Sequence, residues 1–255
     1  MKGKKMKTTK ICGYDADSIM VRDKQLVDDL MGKVSFTEML LFQMLGKTPS
    51  PAQITILDAV MVTIMEHGLI PSAISARMTL YGAPESIQGA IAAGLLGVGD
   101  RFAGTASETA LLLDNIVSAP EQEREDIARS LVSELRRQKK PVPGFGHPVH
   151  KQIDPRVARL LEIVGKSGVK GDYIKAMLLL ETALEQELGR KLPTNISAAI
   201  AAALSEAGIP ASIMRGIVLT ARCAGLVGHL LEEMQAPAAD AMWQAVEEAV
   251  PFEKS

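Results

Sequence analysis

The 255-residue chain is predicted to be all-α on three observations. Hydrophobic residues make up 47% but aromatics only 4%, so Ala, Leu, Ile and Val carry the core, a balance suited to packed helices rather than a β-sandwich. Apolar residues recur at helical spacing in one block after another. No stretch alternates at period two for long.

Taken in order, residues 1 to 13 are a basic, Gly-containing lead expected to fray. Ser35 to Ser50 carries helix punctuation: Ser35 as N-cap, Glu38 completing a capping box, Leu40, Leu41, Met44 and Leu45 on one face, then Gly46 and Pro49 as the stop. Pro51 opens the next helix, with Ile54, Leu57, Val60, Met61 and Ile64 forming a broad stripe that ends at Glu66-His67-Gly68. Pro71-Ser72 opens another, Ala73 to about Tyr81, and Gly82 to Glu85 turn the chain, with Pro84 at a helix start. Ser86 to Val98 is rich in Ala and Gly, which predicts backbones crossing closely. Gly99 to Gly104 breaks the pattern. Ser107 to Val117 and Glu121 to about Gln138 read as helices, the second ending on cations suited to a helix C-terminus. Pro141 to Pro148, with three prolines and two glycines, can only be a loop. Arg156 to Val164, Asp172 to Leu188, Ala198 to Glu206, Ser212 to Met234 and Ala239 to Val250 complete about a dozen helices.

Composition excludes several classes. With 28 Lys+Arg against 30 Asp+Glu the formal net charge is −2, which is no footprint for nucleic acid. Cys12 and Cys223 are the only cysteines, too few for a disulfide framework or a structural zinc site. The longest uninterrupted apolar run, Gly89 to Gly99, falls short of the roughly 20 residues a membrane span needs, so none is expected. The basic N-terminus leads into no apolar segment and does not read as a secretory signal, so the expected location is the cytoplasm. The Walker loop and the GxGxxG, GxSxG and HExxH motifs are all missing, which removes the entry points to nucleotide dehydrogenases, kinases, serine hydrolases and zincins.

The chemistry-bearing residues each have two readings. His67, where a helix meets Gly68, is either favoured there by the helix dipole or part of a polar site. His147 sits in the Gly/Pro loop, where Gly144 and Gly146 let a ligand approach the backbone and Lys139, Lys140 and Lys151 supply charge; such a loop suits a phosphorylated cofactor, or it is a plain turn. His150 lies close to His147, but no ligand set completes a metal site, and none is expected. Arg156 opens a helix against the dipole, so a bound carboxylate would rationalise it, as would a salt bridge with Asp154 or Glu162. Arg222 lies in an apolar run and calls for an anion, from the protein or from a substrate. His229, seven residues on, reads as a core or interface histidine.

The segment PVPGFGHPVHKQIDPR, Pro141 to Arg156, resembles the PGFGH-x-V-x-K-x-x-DPR signature of the citrate synthase superfamily. EHGLIPSA (Glu66 to Ala73) is similar to that family's histidine segment. LPTNISAAIAAAL with AGIP (Leu192 to Pro210) resembles its Asn-Val-Asp block, and LTARCAGLVGHLLEE (Leu219 to Glu233) its arginine segment. The short chain, GAPESIQGAIAAGLLGVG and GHPVHK look like the small citryl-CoA lyase type within the superfamily.

The resemblance implies a two-lobed helical fold, with residues 1–104 plus 206–255 as the large lobe, 105–205 as the small lobe, and a cleft between. It implies a homodimer or higher homo-oligomer acting on an acyl-CoA and an organic acid. Coenzyme A would lie along Pro143, Gly144, Phe145 and Gly146, with its phosphates near Lys151. His147 would hydrogen-bond the oxygen at the reacting carbon, His67 would hold the acid, and Arg156 and Arg222 would pair with its carboxylates. Two departures stand out. Phe102 occupies the place of a histidine in the synthases' GPLHGGAN-like loop, and Ser197 that of the aspartate that takes the acetyl proton. A serine is no carboxylate base at neutral pH. The expected activity is therefore retro-Claisen cleavage of citryl-CoA or a related 3-hydroxy-dicarboxyl-CoA, with His147, His67 and Ser197 as catalytic groups. A citrate or 2-methylcitrate synthase is one alternative, and a catalytically weak CoA- and acid-binding protein of the same fold another.

Overall fold

A computed structural model describes residues 7–146 and 154–253. Among them are twelve α-helices: α1 (Phe36–Leu45), α2 (Pro51–Met65), α3 (Pro71–Gly82), α4 (Ile87–Leu96), α5 (Asp100–Ala103), α6 (Thr105–Val117), α7 (Arg124–Arg137), α8 (Pro155–Lys166), α9 (Asp172–Leu188), α10 (Ile196–Glu206), α11 (Ala211–Gln235) and α12 (Ala239–Ala249). The prediction of an all-α molecule holds.

Caps explain where these helices begin. Ser35 Oγ accepts the Glu38 N–H at 3.1 Å, and α1 stops at Gly46 in the left-handed region (φ 69°). The reciprocal half of a capping box forms one helix later: Gln53 N–H reaches Ser50 Oγ at 3.3 Å, and Ser50 N–H reaches Gln53 Oε1 at 2.9 Å. α9 has the predicted bounds, between Gly171 and Gly189. Pro84 does not begin a helix: it stands in the turn, and α4 starts at Ile87. The Gly99–Gly104 break contains one helical turn, α5.

The hub is α10. Every residue from Ala198 to Ser205 is buried, because α10 is packed by α2, α6, α8, α9 and α11. Its alanines are what let five helices approach one. The principal hydrophobic cluster runs from Leu41 on α1 through α2, α6, α8, α9 and α10 to Ala221 on α11. A satellite cluster joins α3, α4 and the far half of α11. There the predicted close crossing is found: a Cβ on Gly94 would lie 2.7 Å from Leu226 Cδ1 and 2.9 Å from the Ser72 carbonyl oxygen.

Two features differ from expectation. Cys12 and Gly13, the end of the N-terminal lead, join the residues that follow in a small antiparallel sheet, β1 (Cys12–Tyr14), β2 (Ile19–Val21) and β3 (Lys24–Gln25), with Cys12 opposite Val21 and Met20 opposite Gln25. Asp15 Oδ1 ties its first turn, and Arg22 clamps the sheet onto the Gln43 carbonyl at the end of α1. Strands this short carry no readable alternation. The second feature is α11. At 25 residues, with a mean hydropathy of 1.3 in its most apolar window, it is long and apolar enough to cross a membrane by length and composition alone. No uninterrupted apolar run marks it, because Arg215, Arg222 and His229 interrupt the helix. In the fold α11 packs against α2, α3, α4 and α6.

Candidate active site

The start of α10 organises the site. Asn195 is its N-cap: Oδ1 accepts the N–H of Ser197 at 2.9 Å and of Ala198 at 3.4 Å, replacing partners the first helical turn lacks. The same residue holds the Gly/Pro loop. Its backbone N–H donates to the Gly144 carbonyl at 2.9 Å, and its Nδ2 donates to the Gly146 carbonyl at 3.0 Å. The Gly146 N–H returns to the Pro193 carbonyl at 2.8 Å, so Phe145 pairs with Thr194 across a short antiparallel bridge.

Glycine is required at 144. Its φ is +90°, and a Cβ there would sit 2.6 Å from Ala198 Cβ and 2.9 Å from Thr109 Oγ1. Gly146 is also left-handed, at φ +83°. Beside them Thr194 Oγ1 is buried, with no hydrogen-bond partner among the described residues. Pro143, Gly144, Phe145 and Gly146 are thus fixed against the N-terminus of α10. His147, His150 and Lys151 lie outside the described residues.

A cavity of about 390 Å³ opens at this terminus, and four of the sequence-singled residues line it: His67, Arg156, Ser197 and Arg222. They come from the end of α2, the start of α8, the start of α10 and the middle of α11. Ile64, Ala106, Ile200 and Val218 supply apolar wall, with Thr63 and Thr105 as neutral polar groups.

Arg156 is explained by its own helix cap. Buried Asp154 accepts its backbone N–H at 3.0 Å, its Nε at 3.0 Å and its Nη2 at 2.7 Å, a bidentate pair. Of the two salt bridges the sequence offered, the one with Asp154 is formed, and Glu162 pairs instead with Arg159 and Lys166. Arg222 differs: among the described residues it makes no ion pair or hydrogen bond. Burial pushes its guanidinium below the ordinary arginine value, and the charge of nearby Glu66 offsets part of that. A half-buried cation without a direct partner is the strongest request for an anion in this cavity.

Sequence reasoning missed Glu66, the carboxylate lining the cavity. Its Oε1 accepts the backbone N–H groups of His67 at 2.7 Å and Gly68 at 2.6 Å, and lies 3.0 Å from His229 Nε2. Burial alone would raise its carboxyl, but the His229 contact and the two amides outweigh that and hold it below the ordinary glutamate value. Its only sequence signal was position, directly before the histidine. Among the described residues no group of three or more His, Cys, Asp or Glu could hold a metal ion.

Comparison with known proteins places this geometry. The family model for the citrate synthase C-terminal domain matches residues 5–242. A relative from Mycobacterium tuberculosis that carries a citrate synthase designation is 30% identical over 192 residues, 72% of this chain and 49% of its own length. The chain thus spans about half the length of the curated relatives it matches. The citryl-CoA lyase of Hydrogenobacter thermophilus superposes with a TM-score of 0.86 at 28% identity, over 98% of this chain and 95% of that one. The ATP citrate lyase of Methanosaeta concilii, solved with (3S)-citryl-CoA, shares the fold at a TM-score of 0.77 and 17% identity, over 100% of this chain and 43% of that one.

Proposed function

The chain belongs to the citrate synthase family, and from that premise we propose that it is a CoA-dependent carbon–carbon lyase. The substrate we propose is citryl-CoA or a related 3-hydroxy-dicarboxyl-CoA, cleaved to acetyl-CoA and an oxo acid. One observation carries the reading: a single cavity gathers His67, Arg156, Ser197 and Arg222 at the helix terminus that also holds the Pro143–Gly146 loop. The likeness to a citryl-CoA lyase, at a TM-score of 0.86 and 28% identity, favours the lyase over the alternatives.

In this mechanism the thioester lies along Pro143 to Gly146 and Lys151. The buried Thr194 hydroxyl, without a partner among the described residues, and the φ +83° backbone at Gly146 support a ligand there. The acid half faces Arg222, with His67 on its oxygen and Arg156 as a fixed cationic wall. His147 takes the hydroxyl proton of the 3-hydroxyacyl group. The carbon–carbon bond then breaks, its electron pair passing to the acyl-CoA enolate as the hydroxyl carbon becomes the oxo carbon. Ser197 or water returns a proton to the enolate carbon. The cavity is lined by His67, Ala103 and Arg222 on one side and by Thr105, Arg156 and Ser197 on the other, which supports a cleft between a large lobe (1–104 plus 206–255) and a small lobe (105–205).

A homodimer in the cytoplasm completes the reading. Supporting the dimer, α2, α4 and α11 expose Val62, Leu96, Val227 and Leu231, with Leu96 at 86% exposure. The test is an assay coupling oxaloacetate released from citryl-CoA to malate dehydrogenase. Turnover that is lost in His147→Ala with CoA binding intact is the expected result, and no turnover by the folded dimer removes the substrate assignment. Two observations favour a second reading: Ser197 is no carboxylate, and Glu66 Oε1 is engaged by three donors. A CoA- and acid-binding protein without catalysis would show CoA-dependent thermal stabilisation and no turnover.

A further inference from the structure

One polar cluster lies behind the site and takes no part in the chemistry above. It joins α3, α11, the start of α12 and the turn after α2. Its centre is Arg77, 2% exposed. Nη1 donates to Glu233 Oε2 at 2.8 Å, and Nη2 pairs with Glu232. Glu233 in turn accepts the N–H groups of Ala238 and Ala239, at 2.9 and 2.8 Å, fixing the start of α12.

The remaining Arg77 contact runs toward the cavity. Nε reaches His229 Nδ1 at 3.1 Å, and Nη2 stands 2.9 Å from the same nitrogen. A guanidinium can only donate, so Nδ1 must present its lone pair, and the ring proton is on Nε2. That Nε2–H then donates to Glu66 Oε1, the oxygen that accepts the backbone N–H groups of His67 and Gly68. The route is short because α11 lies flush on the end of α2: a Cβ on Gly225 would stand 2.1 Å from the Met65 carbonyl oxygen.

We propose that Arg77 and His229 are positioning residues for His67: Arg77 selects the Nε2–H tautomer of His229, which anchors Glu66, which pins the backbone that carries the His67 imidazole. The kinetic and citrate-binding parts of its test rest on the proposed function; the tautomer and amide parts do not. His229 touches no substrate in this scheme. Its service is to hand a fixed donor to a carboxylate whose other partners are the amides of the His67 turn. Residues at such a remove act through geometry, where small misplacements of a binding group weaken the ligand.

The test uses the full chain, uniformly 15N-labelled. At neutral pH the His229 ring is expected to show the neutral Nε2–H pattern; a proton on Nδ1, alone or on both nitrogens, overturns the proposal. His229→Ala is expected to shift the amide resonances of His67 and Gly68 and to weaken citrate, the probe acid, about tenfold by calorimetry, the equivalent of one hydrogen bond. His229→Gln can both accept from Arg77 and donate to Glu66. It is expected to recover binding to within about threefold of wild type, on the same one-bond scale. Unmoved His67 and Gly68 amides in His229→Ala, or equal citrate affinity in the Ala and Gln variants with both folded by circular dichroism, overturn it. With citryl-CoA, His229→Ala should raise KM and spare kcat; a fall in kcat alone would make His229 a participant in the chemistry and overturn the positioning role. If wild type turns over nothing, the lyase reading falls, and the tautomer and amide shifts still decide this proposal.

Discussion

Gly144→Ala separates a backbone requirement from a packing one at the loop proposed to carry the thioester. At φ +90° a side chain meets the left-handed penalty, about 1–2 kcal/mol. The new methyl group would also lie 2.6 Å from Ala198 Cβ, 2.9 Å from Thr109 Oγ1 and 3.2 Å from Ala198 Cα. None of these is the end of a flexible chain. Ala198 belongs to the buried helix at the centre of the molecule, and Thr109 Oγ1 is bonded to the Thr105 carbonyl at 2.8 Å. Overpacking against such neighbours adds about 1–3 kcal/mol. The sum, about 2–5 kcal/mol, is read from urea unfolding by linear extrapolation, with an unchanged m-value as the sign of an intact unfolded reference. Gly189→Ala is the control: φ is +64° at the end of α9, and nothing lies within 4 Å of its Cβ, so only the backbone penalty applies. Equal destabilisation by the two variants would refute the packing argument. A Gly144→Ala protein that keeps wild-type CoA affinity would show that this loop's path does not matter to the thioester.

Arg222→Met removes the half-buried cation that has no direct partner among the described residues. Thermal stability should hold or rise, because an apolar side chain suits the site better, while citrate affinity falls at least tenfold, about 1.4 kcal/mol; a drop in stability would show that a protein anion already satisfies Arg222. Asp154→Asn keeps the α8 cap and breaks the buried ion pair with Arg156, so urea unfolding should report a loss of about 1–3 kcal/mol. Glu233 gives a pH signature. Burial pushes its carboxyl up, but Arg77 and the Ala239 and Ala238 amides outweigh this and hold it below 4.5. Its contribution is therefore complete above about 4.5 and is lost as pH falls through the lower folded value, so the thermal midpoint of wild type should decline more steeply in acid than that of Glu233→Gln.

What could be read in the sequence was what is local. The α9 end follows from Gly189, and the α1 start from one serine. The fixed spacing from Pro141 to Arg156 and the LPTNIS block each marked one wall of a single cavity. Long-range polar contacts had no such signal. Arg77 and His229 are 152 residues apart and meet only because α3 and α11 cross, so His229 read as a core histidine. Arg156 read equally well as a substrate ligand and as a partner of Asp154, because a cap and a fork use the same two residues. The N-terminal sheet was lost because strands of two or three residues are too short for period two to show.

The arrangement of charge says which of these residues is free to answer a substrate. Each guanidinium in the cavity has a carboxylate near it, but the two pairs are built differently. Arg156 holds a buried aspartate through Nε and Nη2 in a closed fork, so a ligand can compete only for what remains of its edge. Arg222 feels Glu66 only through space, and Oε1 of that glutamate is already bound to two backbone amides and His229. An arriving carboxylate therefore gains a new direct partner at Arg222 without breaking a protein ion pair, whereas at Arg156 it must share one. Acid recognition should accordingly be carried chiefly by Arg222, with His67 aligned beside it by the same carboxylate that keeps its distance from the guanidinium.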